Sequence, residues 1–237
     1  MTNSIKFLIE LRKRLLNTFG VFGVLFAAFF CFSTPLFYWY MLPLQRVLPK
    51  STHLIATQIA TPLLTPLCMA TNLALLCTIP YGLFHLWRFA SPALYRSEQK
   101  KIQFVLGLSI GLFVLGNLFC YFLILPFMFQ CIIHALPKDV LFLPDMGSAA
   151  SFITWMMIIF GLSFQIPLLC MVLIQIQMIQ ISHLIAARPY IIVAAFTLGM
   201  LLTPPDVLSQ ILLAVPLWGL YESGICLSRI LIKPSSS

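Results

Sequence analysis

The sequence predicts an all-α integral membrane protein with six transmembrane helices, and three observations carry that prediction. Hydrophobic residues make up 61% of the 237-residue chain and charged residues 8%. Soluble domains average about half apolar and about a quarter charged, so this chain has too little polar surface to face water and needs lipid as its solvent. The apolar residues fall into long runs, and roughly 20 helical residues cross ~30 Å of hydrocarbon. The lysines and arginines collect in alternate connections between those runs, the pattern of a chain that crosses a membrane repeatedly.

The first span runs from about Leu15 to Tyr38, behind a charged segment. It is longer than the ~7–15 apolar residues of a secretory signal and has no small-x-small cleavage site, so it is expected to be retained. The second span, about residues 67–86, contains Pro80. The third, about 102–125, is expected to stop at Pro126, because proline cannot continue the helical hydrogen-bond ladder. The fourth, about 151–176, contains Pro167; the fifth, about 190–202, and the sixth, about 207–227, are separated only by "TPPD". Strands are excluded, since the runs are long and lack period-two alternation. The chain is expected to be one membrane domain over residues 1–237.

Orientation follows the positive-inside rule. With the N-terminus in the cytoplasm, that side holds eleven basic residues: Lys6, Arg12, Lys13, Arg14, Arg88, Arg96, Lys100, Lys101, Arg188, Arg229 and Lys233. The other side holds three, Arg46, Lys50 and Lys138. Both termini are therefore expected in the cytoplasm. The two long outer connections, about residues 39–66 and 126–150, are too apolar for disordered loops and are expected to form ordered short helices that cap the outer side. The fifth span has 13 residues, roughly 20 Å at 1.5 Å per residue, and the sixth has about 16 before Glu222. Spans this short thin the bilayer or draw their connection below its surface. Pro204 and Pro205 would end the fifth helix, and Asp206 would N-cap the sixth.

Several function classes are excluded. The formal charge of +8 does not point to nucleic acid, because the basic residues lie between apolar runs instead of on one face. The seven cysteines sit within or beside apolar runs, without CxxC or His-linked spacing, and read as small apolar fillers. The four histidines are scattered, and HExxH, GxSxG and phosphate-loop motifs are absent, so no catalytic residue, metal or cofactor is expected. A secondary transporter of a small solute is the alternative function, but mid-span acids are nearly absent and the halves share no matched broken helices.

The polar residues that remain are few. "FLIELRKRLLN" sets Glu10 among Lys6, Arg12, Lys13 and Arg14, and "SPALYRSEQKK" sets Glu98 between Arg96 and Lys100. Each acid either forms a helical salt bridge, Glu10 to Arg14 or to Lys6 on the other side and Glu98 to Lys101, or joins the other in a groove that receives a cation. Spacing alone does not separate these readings. Gln165 in "GLSFQIPLL" is a mid-span amide that needs a partner, in this chain or in another subunit. Thr203 and Gln210 flank "TPPD" as a second polar patch. Glu222 is expected to pair with Arg229. Gly107 to Gly111, "GLSIG", permits close helix approach. Phe89 is either part of an interfacial aromatic belt with Trp87 or an apolar shelf beside Glu98. Ser91 and Pro92 read as the N-cap and first turn of a short interfacial helix that would aim Glu98.

Four strings in order, "FLIELRKRLLN", "WRFASPALYRSEQKK", "GLSFQIPLL" and "RPYIIVAAFTLGMLLTPPDVLSQ", resemble the TatC family, the core receptor of the twin-arginine protein translocase. The resemblance covers essentially the whole chain. It implies a multi-pass protein of the bacterial cytoplasmic (inner) membrane that binds signal peptides bearing two adjacent arginines. It further implies work with TatA- and TatB-type single-span partners, in an assembly holding several copies, and export of folded proteins with the proton-motive force. By motif, the peptide-binding residues fall on Glu10, Arg12, Phe89 and Glu98. Pro43, Pro80 and Asp206 match family positions of structural or translocation importance. Partner contacts fall on Gln165, on Met200, Leu201 and Thr203 of "GMLLT", and on Gln210. The chain departs from the family at Gln165, where glutamate is common; an amide carries no charge, so hydrogen bonding to a partner remains and a proton-linked role does not. Two carboxylates suit two guanidiniums, because arginine offers a planar fork that bonds a carboxylate bidentately and lysine does not.

Overall fold

The computed structural model describes residues 2–48, 54–56, 61–94, 99–134, 143–202 and 207–231. Among them the chain is helical, with one isolated parallel bridge between Ile55 and Asp145. The helices are α1 (Thr2–Cys31), α2 (Ser33–Gln45), α3 (Thr61–Leu94), α4 (Gln99–Phe119), a π turn (Cys120–Ile124), α5 (Leu125–His134), α6 (Met146–Ser163), α7 (Ile166–Gln175), α8 (Ile181–Leu202) and α9 (Val207–Leu231). Six stretches are long and apolar enough to cross a membrane: Arg12–Cys31, Leu64–Arg88, Gln103–His134, Met146–Gln175, Ile181–Leu202 and Val207–Ile230.

Several expected boundaries move, each for a physical reason. The first helix ends at Cys31, and the chain restarts as α2, which carries Pro43 in its interior. Pro126 does not stop the third span. The helix widens to a π turn over Cys120–Ile124 and resumes at Leu125, which sets Pro126 in the first turn of the new helix, where an amide proton has no ladder partner anyway. The fourth span breaks at Phe164–Gln165, and α7 restarts with Pro167 in its first turn. Ser91 and Pro92 do not start a new helix, since α3 runs on to Leu94. The fifth and sixth helices have 22 and 25 residues, longer than their uncharged stretches, because both continue through a charge: Arg188 of α8 and Glu222 of α9 form an ion pair. The long connections are ordered where described. Ile55 donates to Pro144 O at 3.1 Å and Met146 donates to Ile55 O at 3.0 Å.

The chain divides into two compact units, one of Met1–Gln45, Pro49–Ile110 and Leu143–Thr154, the other of Arg46–Leu48, Gly111–Phe142 and Trp155–Ser237. In the first, α1 packs along α3 and α2 leans on both. Tyr40 and Thr154 share a buried hydroxyl hydrogen bond of 2.6 Å, and Trp87 donates to Ser109 Oγ at 3.1 Å. Trp87 is therefore buried, not part of a lipid-facing belt. In the second unit α9 packs against α5, α7 and α8. Cys170, Ile174, Leu184, Tyr221 and Ile225 form a cluster there, and the Tyr221 hydroxyl donates to Leu184 O at 2.8 Å. In lipid the hydrophobic effect does not drive helices together, so close van der Waals fit and interhelical hydrogen bonds of this kind hold the bundle.

Candidate functional site

The site begins where α1 and α3 run antiparallel in the first unit. The helices come within reach of one another at Gly82, where a Cβ would sit in ordinary van der Waals contact, 3.9 Å from Thr18 Cγ2. One turn along, Arg14 Nη1 donates to His85 O at 3.0 Å. The His85 ring is wedged edge-on against Tyr81 and Phe84, with centroids 4.5 and 5.6 Å away. Its two buried nitrogens have no hydrogen-bond partner among the described residues. The next turn of α1 carries Glu10, and Arg14 reaches back to it: Nε lies 3.2 Å from Glu10 Oε1, and Nη2 bonds the same oxygen. Glu10 keeps 51% of its side chain exposed and Arg14 only 18%. Arg12 is exposed.

The second predicted motif lies on the same end of α3. Phe89 continues the helix one turn beyond His85, and Arg88 and Trp87 precede it; the side chain of Phe89 is outside the description. Glu98 lies outside the described residues. The string that carries Glu10 is thus tied to α3 at His85, two residues before the second string begins, by a bond that sequence reasoning missed, Arg14 to a main-chain carbonyl. Residue types alone give no signal for such a contact.

The predicted partner patch is divided. Met200 and Leu201 are exposed, Leu201 by 81%, and Thr203 and Asp206 lie outside the described residues. Gln210 is half-buried and spends its amide on α8, donating to Phe196 O at 3.0 Å beside Gly199, where a Cβ would meet Gln210 Cγ at 3.2 Å. Gln165 is buried by its own chain at the α6–α7 break, with its main-chain carbonyl accepting from Leu169 N at 2.9 Å. Pro43 is buried in α2 and Pro80 half-buried in α3. Glu222 does not pair with Arg229 but with Arg188. Two turns of helix, about 10 Å, separate Glu222 from Arg229, whereas the α8–α9 hairpin brings Arg188 alongside. Both are the first charges met on either side of the 203–206 connection, which is the signal that pairs them.

The alternative of a solute pocket at mid-span finds no counterpart in one cavity of about 410 Å³, which lies at the N-terminal ends of α3 and α6, lined by Thr61, Thr65, Asp145, Ser148 and Ser151 among others. Asp145 is occupied there in capping α6, accepting from Ser148 N and Oγ at 3.0 Å each.

Comparison with known proteins gives a consistent result. The sequence profile of the Sec-independent protein translocase protein (TatC) matches residues 6–216. The TatC of Haemophilus influenzae is 38% identical over 222 residues, covering 94% of this chain and 87% of its own. The TatC of Escherichia coli K12 is 37% identical over 225 residues, covering 95% and 87%. Two crystal structures of the twin-arginine translocase receptor TatC superpose on the fold. One, in DDM, has a TM-score of 0.85 at 32% identity, covering 94% of this chain and 99% of that one. The other has a TM-score of 0.86 at 31% identity, covering 96% and 100%. Six membrane-capable helices, the four ordered motifs and these matches together establish that the chain belongs to the TatC family.

Proposed function

We infer that this chain is the signal-peptide receptor of its translocase. As a TatC-family protein it is a core, multi-pass membrane subunit of the twin-arginine translocase, a transport protein and not a catalyst. In the finer reading, Glu10 and Glu98 receive the two guanidiniums of a twin-arginine signal peptide, with Arg12 and Phe89 beside them. The peptide arrives from the cytoplasmic side of the inner membrane, where both termini lie. TatA- and TatB-type single-span proteins dock along α8 and the start of α9, at Met200, Leu201, Thr203 and Gln210, and several copies share one assembly. The proton-motive force drives export of the folded cargo. Residues 1–237 act as one membrane domain. Pro43, Pro80 and Asp206 shape the scaffold, and Gln165 serves as a buried polar residue at a helix break that a partner would reach only by displacing its cover.

One observation carries this reading: Arg14 bonds both Glu10 and the carbonyl of His85, which ties the first motif to the helix that leads into the second. A carboxylate that stays half exposed at that junction, though paired with Arg14, can be reached by an incoming fork of N–H donors. Charge-assisted hydrogen bonds contribute about 1.5–3 kcal/mol when shielded and exposed pairs about 0–1 kcal/mol, so affinity grows as the groove closes over the peptide. The test is photo-crosslinking of a labelled Arg-Arg signal peptide to membranes holding the protein. Glu10→Gln and Glu98→Gln are each expected to reduce labelling about tenfold, the factor that 1.4 kcal/mol represents, and a Lys-Lys peptide to label the unaltered protein poorly. Equal labelling by the two peptides would remove the guanidinium-receptor reading.

A further inference from the structure

We propose that Arg14 is an internal competitor for the cargo arginine at Glu10, setting an affinity threshold that a signal peptide must exceed. The proposal rests on the reading of Glu10 as a guanidinium receptor and concerns the state of that receptor when no peptide is bound. Glu10 Oε1 is already engaged by two N–H groups of one guanidinium, Nε and Nη2 of Arg14. That is the same chemistry a cargo arginine would bring. The third contact explains why Arg14 stays in place. Nη1 is held by His85 O at 3.0 Å, the side chain is mostly covered, and Glu10 is the more exposed partner. The guanidinium is anchored to α3 while the carboxylate faces outward, so an arriving arginine displaces Arg14 from Glu10 without stripping Arg14 of its anchor on His85.

The competition has a definite signature. When only a fraction of receptors has Glu10 released, every ligand of Glu10 shows an apparent dissociation constant raised by the inverse of that fraction. An exposed helical pair is weak, so removing the competitor is expected to tighten binding by about two- to fivefold. Because the factor belongs to the receptor, it is the same for an Arg-Arg and a Lys-Lys peptide, and their ratio is unchanged. Were Arg14 instead to orient Glu10 for bidentate bonding, its loss would weaken the Arg-Arg peptide and shrink the ratio.

The experiment measures binding of fluorescent Arg-Arg and Lys-Lys signal peptides to the full-length protein in lipid nanodiscs. Arg14→Gln is expected to tighten both about two- to fivefold at constant ratio. Lys13→Gln removes the same charge from an exposed neighbour and is expected to give less than half that gain. Arg14→Lys, which keeps the charge without the fork, is expected to give part of it. Glu10→Gln should weaken binding and cancel the gain in the double variant E10Q/R14Q. A Thr18→Cys, Gly82→Cys pair, set where the two helices touch, reports whether α1 still lies on α3; equal crosslinking with and without Arg14 shows that the site has not come apart. Where R14Q abolishes the crosslink, Arg14→Lys decides: a gain supports the competitor and no gain overturns it. Unchanged or weaker binding in packed R14Q, or a gain no larger than that of K13Q, overturns it as well. Loss of binding in E10Q with no gain in R14Q removes the competitor and leaves the receptor reading standing, whereas E10Q that binds like the unaltered protein removes both.

Discussion

Gln177 holds a left-handed backbone, φ 57°, the one such non-glycine residue among those described. It sits just past the end of α7. Met178 N bonds Leu173 O at 3.1 Å and Gln177 N bonds Ile174 O at 2.9 Å, the paired bonds of a Schellman ending. Glycine is the usual residue at that position because a Cβ costs about 1–2 kcal/mol in this conformation. Gln177→Gly is therefore expected to keep or raise stability by up to about 1 kcal/mol, part of its gain being offset by the freedom glycine adds to the unfolded chain. Gln177→Ile is expected to lower stability by about 1–2 kcal/mol. Thermal unfolding in detergent measures both, and an isoleucine variant as stable as the glycine variant would contradict the assignment. The sequence did not mark this turn, since glutamine carries no turn signal of its own. It did mark Glu10, by offering a carboxylate in a basic segment with Arg14 one turn on as a salt-bridge partner, the pair the structure shows, but not the anchor of Arg14, because that carbonyl belongs to a residue 71 positions away.

At the scale of elements, the glycines that matter are not the ones the sequence singled out. The "GLSIG" motif permits close helix approach, yet a Cβ at Gly107 or Gly111 would meet nothing within 4 Å among the described residues. The tightest places in the second unit are Gly116, where a Cβ would lie 2.9 Å from Phe160 O, and Gly161, where it would lie 2.7 Å from Asn117 Nδ2 and from Phe113 Cε2. A GxxxG spacing creates a groove but not the helix that fills it, and single glycines on α4 and α6 fit together here without a motif. Gly116→Ala meets main chain and cannot be relieved by a rotamer change, so it is expected to cost about 2–4 kcal/mol or to abolish folding; Gly107→Ala is expected to be neutral or slightly stabilising, because alanine is the better helix former by about 1 kcal/mol. Yield and melting temperature of the purified variants compare the two directly. Existence and order of the six spans were legible from apolar run length alone. Their ends were not, because Pro126 is absorbed by the π turn of Cys120–Ile124 and because Arg188 and Glu222 cancel one another's charge across a hairpin.

At the scale of the whole molecule the apolar side chains left exposed are numerous and large: Phe19, Val24, Phe104, Phe122, Trp155, Tyr190 and Leu201 among them, each more than half exposed. In water such a surface would aggregate; in a bilayer it is the solvated face. What fixes the direction in which that face is threaded is the distribution of charge, eleven basic residues on the connections shared with the termini against three on the others. Acidic residues contribute little to this rule, and with six in the chain they have little to contribute. The expected topology is therefore both termini in the cytoplasm. In a version whose seven cysteines are replaced by alanine or serine, a single cysteine introduced by Ser237→Cys should resist a membrane-impermeant maleimide in intact cells and react once the membrane is opened. One introduced by Lys138→Cys should react in intact cells. The reverse pattern would mean that the positive charge did not set the orientation. It would also take the Glu10 end of α1 away from the compartment in which folded cargo carrying an arginine tag is made, so the same labelling tests the premise on which any receptor role for Glu10 depends.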